Sequence, residues 1–293
     1  MIIKDALTWA HEYLLLSSDS ARLDAELLLA YVLKRPVTFL LAHDETEIGF
    51  FKLRKYRHLI DQRKNGMPVA YLTGHKEFYG LDFEVNKSVM VPRPDTEILA
   101  GKVIEYLQQI TEGDVHKRCR RDSGIAPSVI LLDVGTGSGC IPISVLKNVP
   151  DIKAVATEIS GSAVRIAKRN IKKHGLKSRI KLIKSDLLKS VPAKLFHSKE
   201  VIVTANLPYI PKRFAVHPST KSEPDVALYG GEDGLDIYKR LIEQLDEIKP
   251  RAIFFELFEF QAGILGAKMS DYEVRFTESL TGEARCLMME KIA

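Results

Sequence analysis

The sequence is poor in cysteine and has no apolar run that could cross a bilayer. Its 293 residues include three cysteines, Cys119, Cys140 and Cys286, which lie far apart. An odd number of separated cysteines argues against a disulfide framework and a zinc site and is typical of a reducing compartment. No apolar segment reaches the roughly 20 residues of a transmembrane helix. We therefore expect a cytoplasmic protein with no metal site and no membrane contact.

The chain also has only a small excess of positive charge. The chain has 43 lysines and arginines against 38 aspartates and glutamates, a net charge of +5. This balance is too weak to predict nucleic-acid binding. The one basic run, His116–Arg121, lies within residues 111–127, which lack periodicity, so we interpret it as part of a solvated loop. The first helical pattern carries Asp5 and Glu12 and lacks the basic start of a signal peptide.

Helical spacing dominates the beginning of the sequence. In the second helical pattern, four apolar residues fall on one face: Leu23, Leu27, Ala30 and Leu33. A further helix is expected near residues 51–64. Aromatic and β-branched residues around Gly80 and Asn86 then predict a hairpin. These patterns predict a small helical domain over residues 1–73, a β-hairpin linker over 74–94 and a larger domain over 95–293.

Short apolar strands alternate with helical segments after residue 128. The expected strands are Val129–Val134, Ala154–Glu158, Ile180–Ile183, Val201–Thr204 and Ala252–Glu256. This alternation predicts an α/β fold with a mostly parallel sheet covered by helices. Two last strands, Tyr272–Glu278 and Ala284–Glu290, are separated by a short turn at residues 280–283. They predict an antiparallel hairpin at the sheet edge.

A glycine-rich loop follows the first of these strands. Alternate glycines allow a sharp turn and a close approach of a ligand. A dinucleotide fingerprint needs its third glycine where Cys140 stands, and no Lys-Ser/Thr pair of a phosphate-binding loop follows. Asp133, at the strand end, suits a ligand with an amino group and a positive sulfonium. We predict that a cofactor is bound by Asp133 and by the turn residues Gly135, Thr136, Gly137, Ser138 and Gly139.

Acidic residues follow the next two strands. Glu158 ends the second strand, where a carboxylate can accept two hydrogen bonds from the vicinal hydroxyls of a ribose. Asp186 follows the third strand and could receive an adenine amine, with Leu187 or Ile159 against the ring. The carboxyl ends of parallel strands share one edge of the sheet. We therefore predict that these residues complete the cofactor site.

The motif Asn206-Leu207-Pro208-Tyr209 follows the fourth strand. Pro208 holds Leu207 extended, so that its carbonyl turns away from local hydrogen bonding. This carbonyl and the Asn206 side-chain oxygen are a pair of acceptors for a planar NH2 group, and Tyr209 offers a face for stacking. Methyl transfer to such a nitrogen needs alignment and acceptors for the growing positive charge, without a metal. The motif therefore predicts a catalytic and substrate-binding site, and its place after the fourth strand also predicts that Asn206 contacts the cofactor.

These motifs resemble those of the HemK/PrmC family, the release factor glutamine methyltransferases. The similarity covers nearly the whole chain and also includes Pro68–Gly74, Val91–Glu97 and Tyr229–Leu235. The resemblance implies a Rossmann-like class I methyltransferase fold that binds S-adenosylmethionine. It also implies methyl transfer to the side-chain amide nitrogen of the glutamine in the Gly-Gly-Gln motif of class 1 peptide chain release factors. The helical domain is then the docking site for the release factor, and we expect a monomer without a direct nucleic-acid partner.

Two positions depart from the family pattern. Leu207 stands where the family has proline, and the segment Glu256–Gln261 has Phe258 where the family's EIGxxQ has glycine. The sequence Asn-Leu-Pro-Tyr also resembles the motif of enzymes that methylate adenine in ribosomal RNA. An adenine amino methyltransferase acting on RNA or DNA therefore remains the alternative.

Overall fold

A computed structural model describes residues 1–118, 128–197, 199–214, 220, 222–278 and 284–292. Its contacts form two compact units. The helical unit is Met1–His75 with two short later segments. The sheet unit comprises the described residues of Lys76–Glu84, Ser88–Phe214 and Pro224–Ala293. Within this described part of the chain, no helix combines the length and the apolarity that a membrane crossing requires.

Five helices make up the helical unit: α1 (Ile3–Leu14), α2 (Ala21–Leu33), α3 (Val37–Ala42), α4 (Phe50–Lys64) and α5 (Val69–Thr73). The predicted buried face of α2 is wrong, because Leu23 and Leu27 are 52% and 38% exposed. The buried face carries Leu28 and Leu29 instead. It also carries Asp24, whose Oδ2 accepts a hydrogen bond from Arg63 Nε at 2.6 Å. Because α2 is apolar on much of its surface, apolar spacing alone does not single out the buried face, which also holds this ion pair.

A two-stranded sheet of β1 (His75–Phe78) and β2 (Leu81–Glu84) forms the predicted hairpin. The large sheet has the order β5-β4-β3-β6-β7-β9-β8. Its strands are β3 (Ser128–Val134), β4 (Lys153–Glu158), β5 (Ile180–Lys184), β6 (Lys199–Ala205), β7 (Ala252–Glu256), β8 (Tyr272–Glu278) and β9 (Ala284–Lys291). The helices of this unit are α6 (Pro94–Arg118), α7 (Cys140–Asn148), α8 (Gly161–Lys173), α9 (Asp236–Leu245) and α10 (Glu259–Gly266).

The α/β prediction is confirmed. β3 to β7 pair in parallel, and β9 and β8 add the antiparallel hairpin at the edge. The predicted turn at residues 280–283 lies outside the described residues. Residues 111–118 are helical rather than a loop, because α6 runs on to Arg118 although its last turns lack an apolar stripe. The rest of the expected loop, residues 119–127, lies outside the described residues.

The strand order places the site. From β3 the chain moves outward through β4 and β5, then returns to pair β6 with the other side of β3. Ligands of open α/β sheets bind at such a switch point, beyond the carboxyl ends of the strands. The register sets Asp133 beside Thr204, so that the ends of β3 and β6 lie level. The glycine loop, Glu158 and Asn206 therefore emerge at one edge of the sheet.

Candidate active site

A cleft opens at the carboxyl ends of β3, β4, β5 and β6. Its walls include four predicted segments: residues 135–138, 158–160, 185–187 and 206–208. The cleft is also lined by residues that the sequence did not identify: Met90, Pro92, Thr96 and Arg240. Asp133, Gly139 and Tyr209 lie behind these walls rather than among the residues that line the cleft. The fold thus brings most of the predicted residues to one cavity.

The glycine loop is built around a backbone that other residues would strain. Gly135, Gly137 and Gly139 have φ angles of 73°, 56° and 82°. A Cβ atom on Gly135 would lie 2.6 Å from Cδ2 of Leu207. Leu207 thus packs directly on the bare Cα of Gly135. The loop and the Asn206–Tyr209 motif are therefore one packed structure.

Asp133 carries a buried acceptor that the chain does not use. It is 1% exposed, and its Oδ1 accepts a hydrogen bond from Thr204 Oγ1 at 2.7 Å. Burial raises the pKa of Asp133 to about 6; the Thr136 and Thr204 hydroxyls close to the carboxyl offset part of this rise, and the charge of Glu158 adds a little to it. Oδ2 of Asp133 and Oγ1 of Thr136 are buried and find no hydrogen-bond partner among the described residues. Orphaned buried polar atoms are costly, so this pair fits a ligand that brings a hydrogen-bond donor such as an amino group.

Glu158 is held rigidly at the end of β4. It is 8% exposed. Its Oε2 accepts a hydrogen bond from the Gly137 N–H at 2.9 Å, and its Oε1 accepts one from the Ser160 N–H at 2.8 Å. Each carboxylate oxygen keeps a second acceptor site, because an ionised carboxylate can accept about four hydrogen bonds. Glu158 can therefore hold vicinal hydroxyls while it anchors the glycine loop.

Asp186 lies on the cleft wall and already has two cationic partners. Its Oδ2 is 2.7 Å from Lys189 Nζ and 2.6 Å from an Arg240 nitrogen. The hydrogen bond from Lys189 and then that from Arg240 lower the pKa of this carboxyl. Leu187 is buried beside it with a φ angle of 51°. Arg240 lies 54 residues from Asp186 in the sequence, so no local motif could identify it as a partner of this carboxylate.

A hydrogen-bond network fixes the orientation of the Asn206 amide. Its Nδ2 donates to Thr96 Oγ1 at 3.0 Å and to Glu256 Oε2 at 2.9 Å. Thr96 Oγ1 also donates to Glu256 Oε2, at 2.7 Å. An ionised carboxylate only accepts, so the NH2 side of the amide must face Glu256. Asn206 Oδ1 therefore points the other way, and it accepts no hydrogen bond from any residue that the structure describes.

Glu256 forms hydrogen bonds with both ends of the Asn206–Tyr209 motif. It is 2% exposed at the end of β7, and its second oxygen, Oε1, accepts a hydrogen bond from the Tyr209 hydroxyl at 3.1 Å. Its main-chain oxygen accepts one from the Tyr238 hydroxyl at 2.6 Å. The family resemblance includes Glu256 in a motif but gave it no role. The structure shows that its side chain contacts Asn206, Thr96 and Tyr209 together.

Leu207 is fixed through its backbone. Its N–H donates to the Tyr238 hydroxyl at 3.1 Å. That hydroxyl gives its single proton to the Glu256 main-chain oxygen, so its 3.5 Å contact with the Leu207 carbonyl is at most a weak hydrogen bond. The Leu207 carbonyl therefore keeps its acceptor capacity. Asn206 and Leu207 both line the cleft, so Asn206 Oδ1 and this carbonyl are its candidate acceptors for a substrate N–H group.

Tyr209 helps to hold the Asn206–Tyr209 motif in place. Its main-chain oxygen accepts a hydrogen bond from Gln261 Nε2 at 2.8 Å, and its ring meets Phe258 edge-on with centroids 5.1 Å apart. The glycines of the segment Tyr229–Leu235 pass close to the same backbone. A Cβ atom on Gly230 would clash with the Pro208 carbonyl, and one on Gly234 with the Tyr209 carbonyl. Glycine is required at both places because the two backbones touch.

Comparison with known proteins identifies the family. A model of the PrmC N-terminal domain matches residues 5–74, and a model of the methyltransferase small domain matches residues 126–209. A release factor glutamine methyltransferase of Clostridium acetobutylicum is 39% identical over 247 residues, which are 82% of this chain and 80% of the relative. Another, of Koribacter versatilis, is 35% identical over 260 residues, with 87% and 85% covered. The chain belongs to the release factor glutamine methyltransferase family.

The fold of this methyltransferase is also found among solved structures. The hMettl16 catalytic domain, solved in complex with MAT2A 3′UTR hairpin 6, superposes with a TM-score of 0.56 at 16% identity. The match covers 77% of this chain and 81% of that one, and it concerns the fold alone. The cofactor of the methyltransferase is S-adenosylmethionine, as the family and the fold predict. Its amino group and ribose hydroxyls fit the orphaned acceptor of Asp133 and the carboxylate of Glu158.

Replacing Glu158 by alanine should weaken the binding of S-adenosylmethionine. Two charge-assisted hydrogen bonds to ribose would be lost, which corresponds to about 2–4 kcal/mol. The Gly137 and Ser160 amides would also lose their common acceptor. Calorimetric titration measures the change. Glu200→Ala, at the start of β6, is the matched control and should bind normally; an unchanged affinity in Glu158→Ala would remove Glu158 from the site.

Replacing Leu207 by the family's proline should destabilise this chain. Proline cannot donate the hydrogen bond to Tyr238, and it does not replace the buried leucine methyl that packs on Gly135. We expect a loss of about 2 kcal/mol in the free energy of unfolding, measured in urea. Leu207→Met keeps the N–H and the volume and should cost less. Full stability of Leu207→Pro would show that neither contact contributes.

Proposed function

We propose that this enzyme transfers the methyl group of S-adenosylmethionine to the side-chain amide nitrogen of the glutamine in the Gly-Gly-Gln motif of a class 1 peptide chain release factor. The observation that carries the proposal is the locked Asn206 amide. Glu256 and Thr96 hold its NH2 group, which leaves Oδ1 as an acceptor in the cleft that Leu207 also lines. Two such acceptors match the two N–H bonds of a planar primary amide. The names of the relatives support glutamine as its source.

The cofactor site follows from the same geometry. Asp133 Oδ2 and Thr136 are assigned to the amino group, and Glu158 to the ribose hydroxyls. Leu187 and Ile159 line the cleft where the adenine ring would lie. Asp186 would accept from the adenine amine while Lys189 and Arg240 hold its carboxylate in place. When bound, the cofactor supplies a strongly electrophilic methyl group on a positive sulfonium.

Catalysis by this site consists of orientation and charge stabilisation. An amide nitrogen is a poor nucleophile, because its lone pair is delocalised into the carbonyl group. Asn206 Oδ1 and the Leu207 carbonyl would accept hydrogen bonds from its two N–H groups and so orient the nitrogen for the transfer. As the nitrogen becomes positive, both oxygens stabilise the growing charge more strongly than they did in the ground state. Neither oxygen has to remove a proton before the transfer. As the nitrogen–methyl bond formed, the sulfur–methyl bond would break and leave S-adenosylhomocysteine, and the methylated nitrogen would then lose one proton to solvent.

The domain division belongs to the proposal. In this division, residues 1–73 would bind the release factor and residues 95–293 would catalyse the methyl transfer. Residues 74–94 would connect these two domains. The match of the PrmC N-terminal domain to residues 5–74 supports a separate function for the helical part. A glutamine on a Gly-Gly loop offers few contacts of its own, so a second docking surface raises its effective concentration. We further propose a monomeric enzyme that works in the cytoplasm, where release factors act, without contacting nucleic acid directly.

Labelled cofactor offered to the purified enzyme with release factor or RNA tests this function. Mass spectrometry should find the methyl group on the Gly-Gly-Gln glutamine, and a release factor with glutamate at that position should stay unlabelled. Asn206→Ala should lower kcat about 100-fold with an unchanged affinity for S-adenosylmethionine, because its acceptor matters most in the transition state. Asn148→Ala, on α7, serves as control. A methyl group on an adenine of RNA would instead establish the alternative function.

A further inference from the structure

A cluster of exposed apolar side chains lies next to the Asn206–Tyr209 motif. We call Phe214, Phe258, Phe260 and Ile264 the aromatic patch. Phe258 and Phe260 stack with ring centroids 5.6 Å apart, and Phe214 lies 6.0 and 6.2 Å from these two rings. Ile264 is one helical turn beyond Phe260 on α10. Phe214, Phe260 and Ile264 are 38%, 51% and 44% exposed, so the patch faces solvent.

The aromatic patch includes a residue at which this chain departs from the family's EIGxxQ motif. Phe258 stands where the family's EIGxxQ segment has glycine, and Phe260 follows it. Phe258 has φ −74° and ψ 150°, an extended conformation that any residue adopts. The backbone at this position therefore accommodates a side chain without strain. A contiguous exposed apolar cluster of this kind marks an interaction surface.

The patch continues the catalytic motif. Phe258 meets the Tyr209 ring at 5.1 Å, and the remaining patch residues extend outward from Phe258. An extended chain advances about 3.3 Å per residue. A protein segment whose glutamine amide reaches Asn206 would thus bring residues that flank the glutamine toward the patch.

The chemistry of the patch favours a protein segment over a nucleic acid. Phe258 and Phe260 stack on each other with planes 13° apart, so each covers one face of the other. Ile264 adds an aliphatic surface that does not stack bases. Arg213, 5.9 Å from the Phe214 ring, brings a positive charge, but the exposed Glu259, which lies between Phe258 and Phe260 in the sequence, brings a negative one. Single-stranded nucleic acids are bound by open aromatic faces and several cations together.

We infer that the aromatic patch binds apolar side chains of the protein substrate that flank the methylated glutamine, and so contributes to its selection. This inference rests on the proposed function. Patch residues act by binding and lie outside the pair of acceptors, so they should affect KM. Aromatic anchors in interfaces often contribute a large share of the binding energy.

Kinetics of the double variant Phe214→Ala/Phe260→Ala test the inference. We expect KM for release factor to rise about tenfold or more, with kcat and the affinity for S-adenosylmethionine within about twofold of the unsubstituted enzyme. Phe276→Ala, a 39% exposed phenylalanine on β8, is the matched control and should leave KM unchanged. A short Gly-Gly-Gln peptide without flanking residues should be methylated equally by the double variant and the unsubstituted enzyme.

The outcomes separate the two proposals. If the unsubstituted enzyme methylates release factor and the double variant has the same KM, the inference is wrong and the proposed function stands. If the double variant loses activity on the short peptide to the same extent, the patch supports the fold of the site rather than the substrate, and the inference is also wrong. If the unsubstituted enzyme does not methylate release factor, the proposed function fails and the inference fails with it.

Discussion

The buried carboxylate of Glu256 is the interaction on which the site depends. Three donors converge on it: the Thr96 hydroxyl, the Asn206 amide and the Tyr209 hydroxyl. Burial of a charge is unfavourable unless hydrogen bonds compensate, and here three do. An acceptor-only group also has a directional effect that a neutral residue lacks. It makes one of the two amide orientations of Asn206 costly and thereby presents Oδ1 to the cleft.

The other contacts of the Asn206–Tyr209 motif are made to its backbone. Tyr238 and Gln261 bind main-chain atoms on either side of Pro208, while Gly230 and Gly234 allow a second loop to lie against the same backbone. The motif can therefore contain Leu207 in place of proline, because the position of its carbonyl is set by hydrogen bonds from outside the motif as well as by Pro208. The leucine side chain in turn fills the space above Gly135, which couples the substrate motif to the cofactor loop.

Much of the fold could be predicted from the sequence, because buried parallel strands read as short apolar runs between helices. The five strands and the terminal hairpin follow from that pattern. The buried face of α2 did not, since its apolar residues surround the helix, and a charged residue, Asp24, lies on the buried side with Arg63 as its partner. The end of α6 was missed because no apolar periodicity marks it.

The site residues that belong to local sequence motifs could be predicted. Those that contact the site from a distant part of the sequence could not. Glycines, Glu158 and Asn206 each follow a strand, so the topology alone brings them together. Thr96 lies 160 residues from Glu256, and Arg240 lies 54 residues from Asp186. No spacing in a single sequence reveals such pairs. The sequence therefore indicates which groups meet the cofactor and the substrate, whereas the structure shows what orients them.

If the charge of Glu256 orients Asn206, the isosteric variant Glu256→Gln should release that orientation. One of the two polar atoms of a glutamine side chain is a donor, so it cannot accept hydrogen bonds as both carboxylate oxygens do, and the Asn206 amide becomes free to turn over. We expect kcat for methylation of release factor to fall about 100-fold, while S-adenosylmethionine affinity and thermal stability change little. Glu290→Gln, which replaces the partner of Tyr106, is the control. An unchanged kcat in a folded Glu256→Gln variant would show that the charge of Glu256 does not orient Asn206.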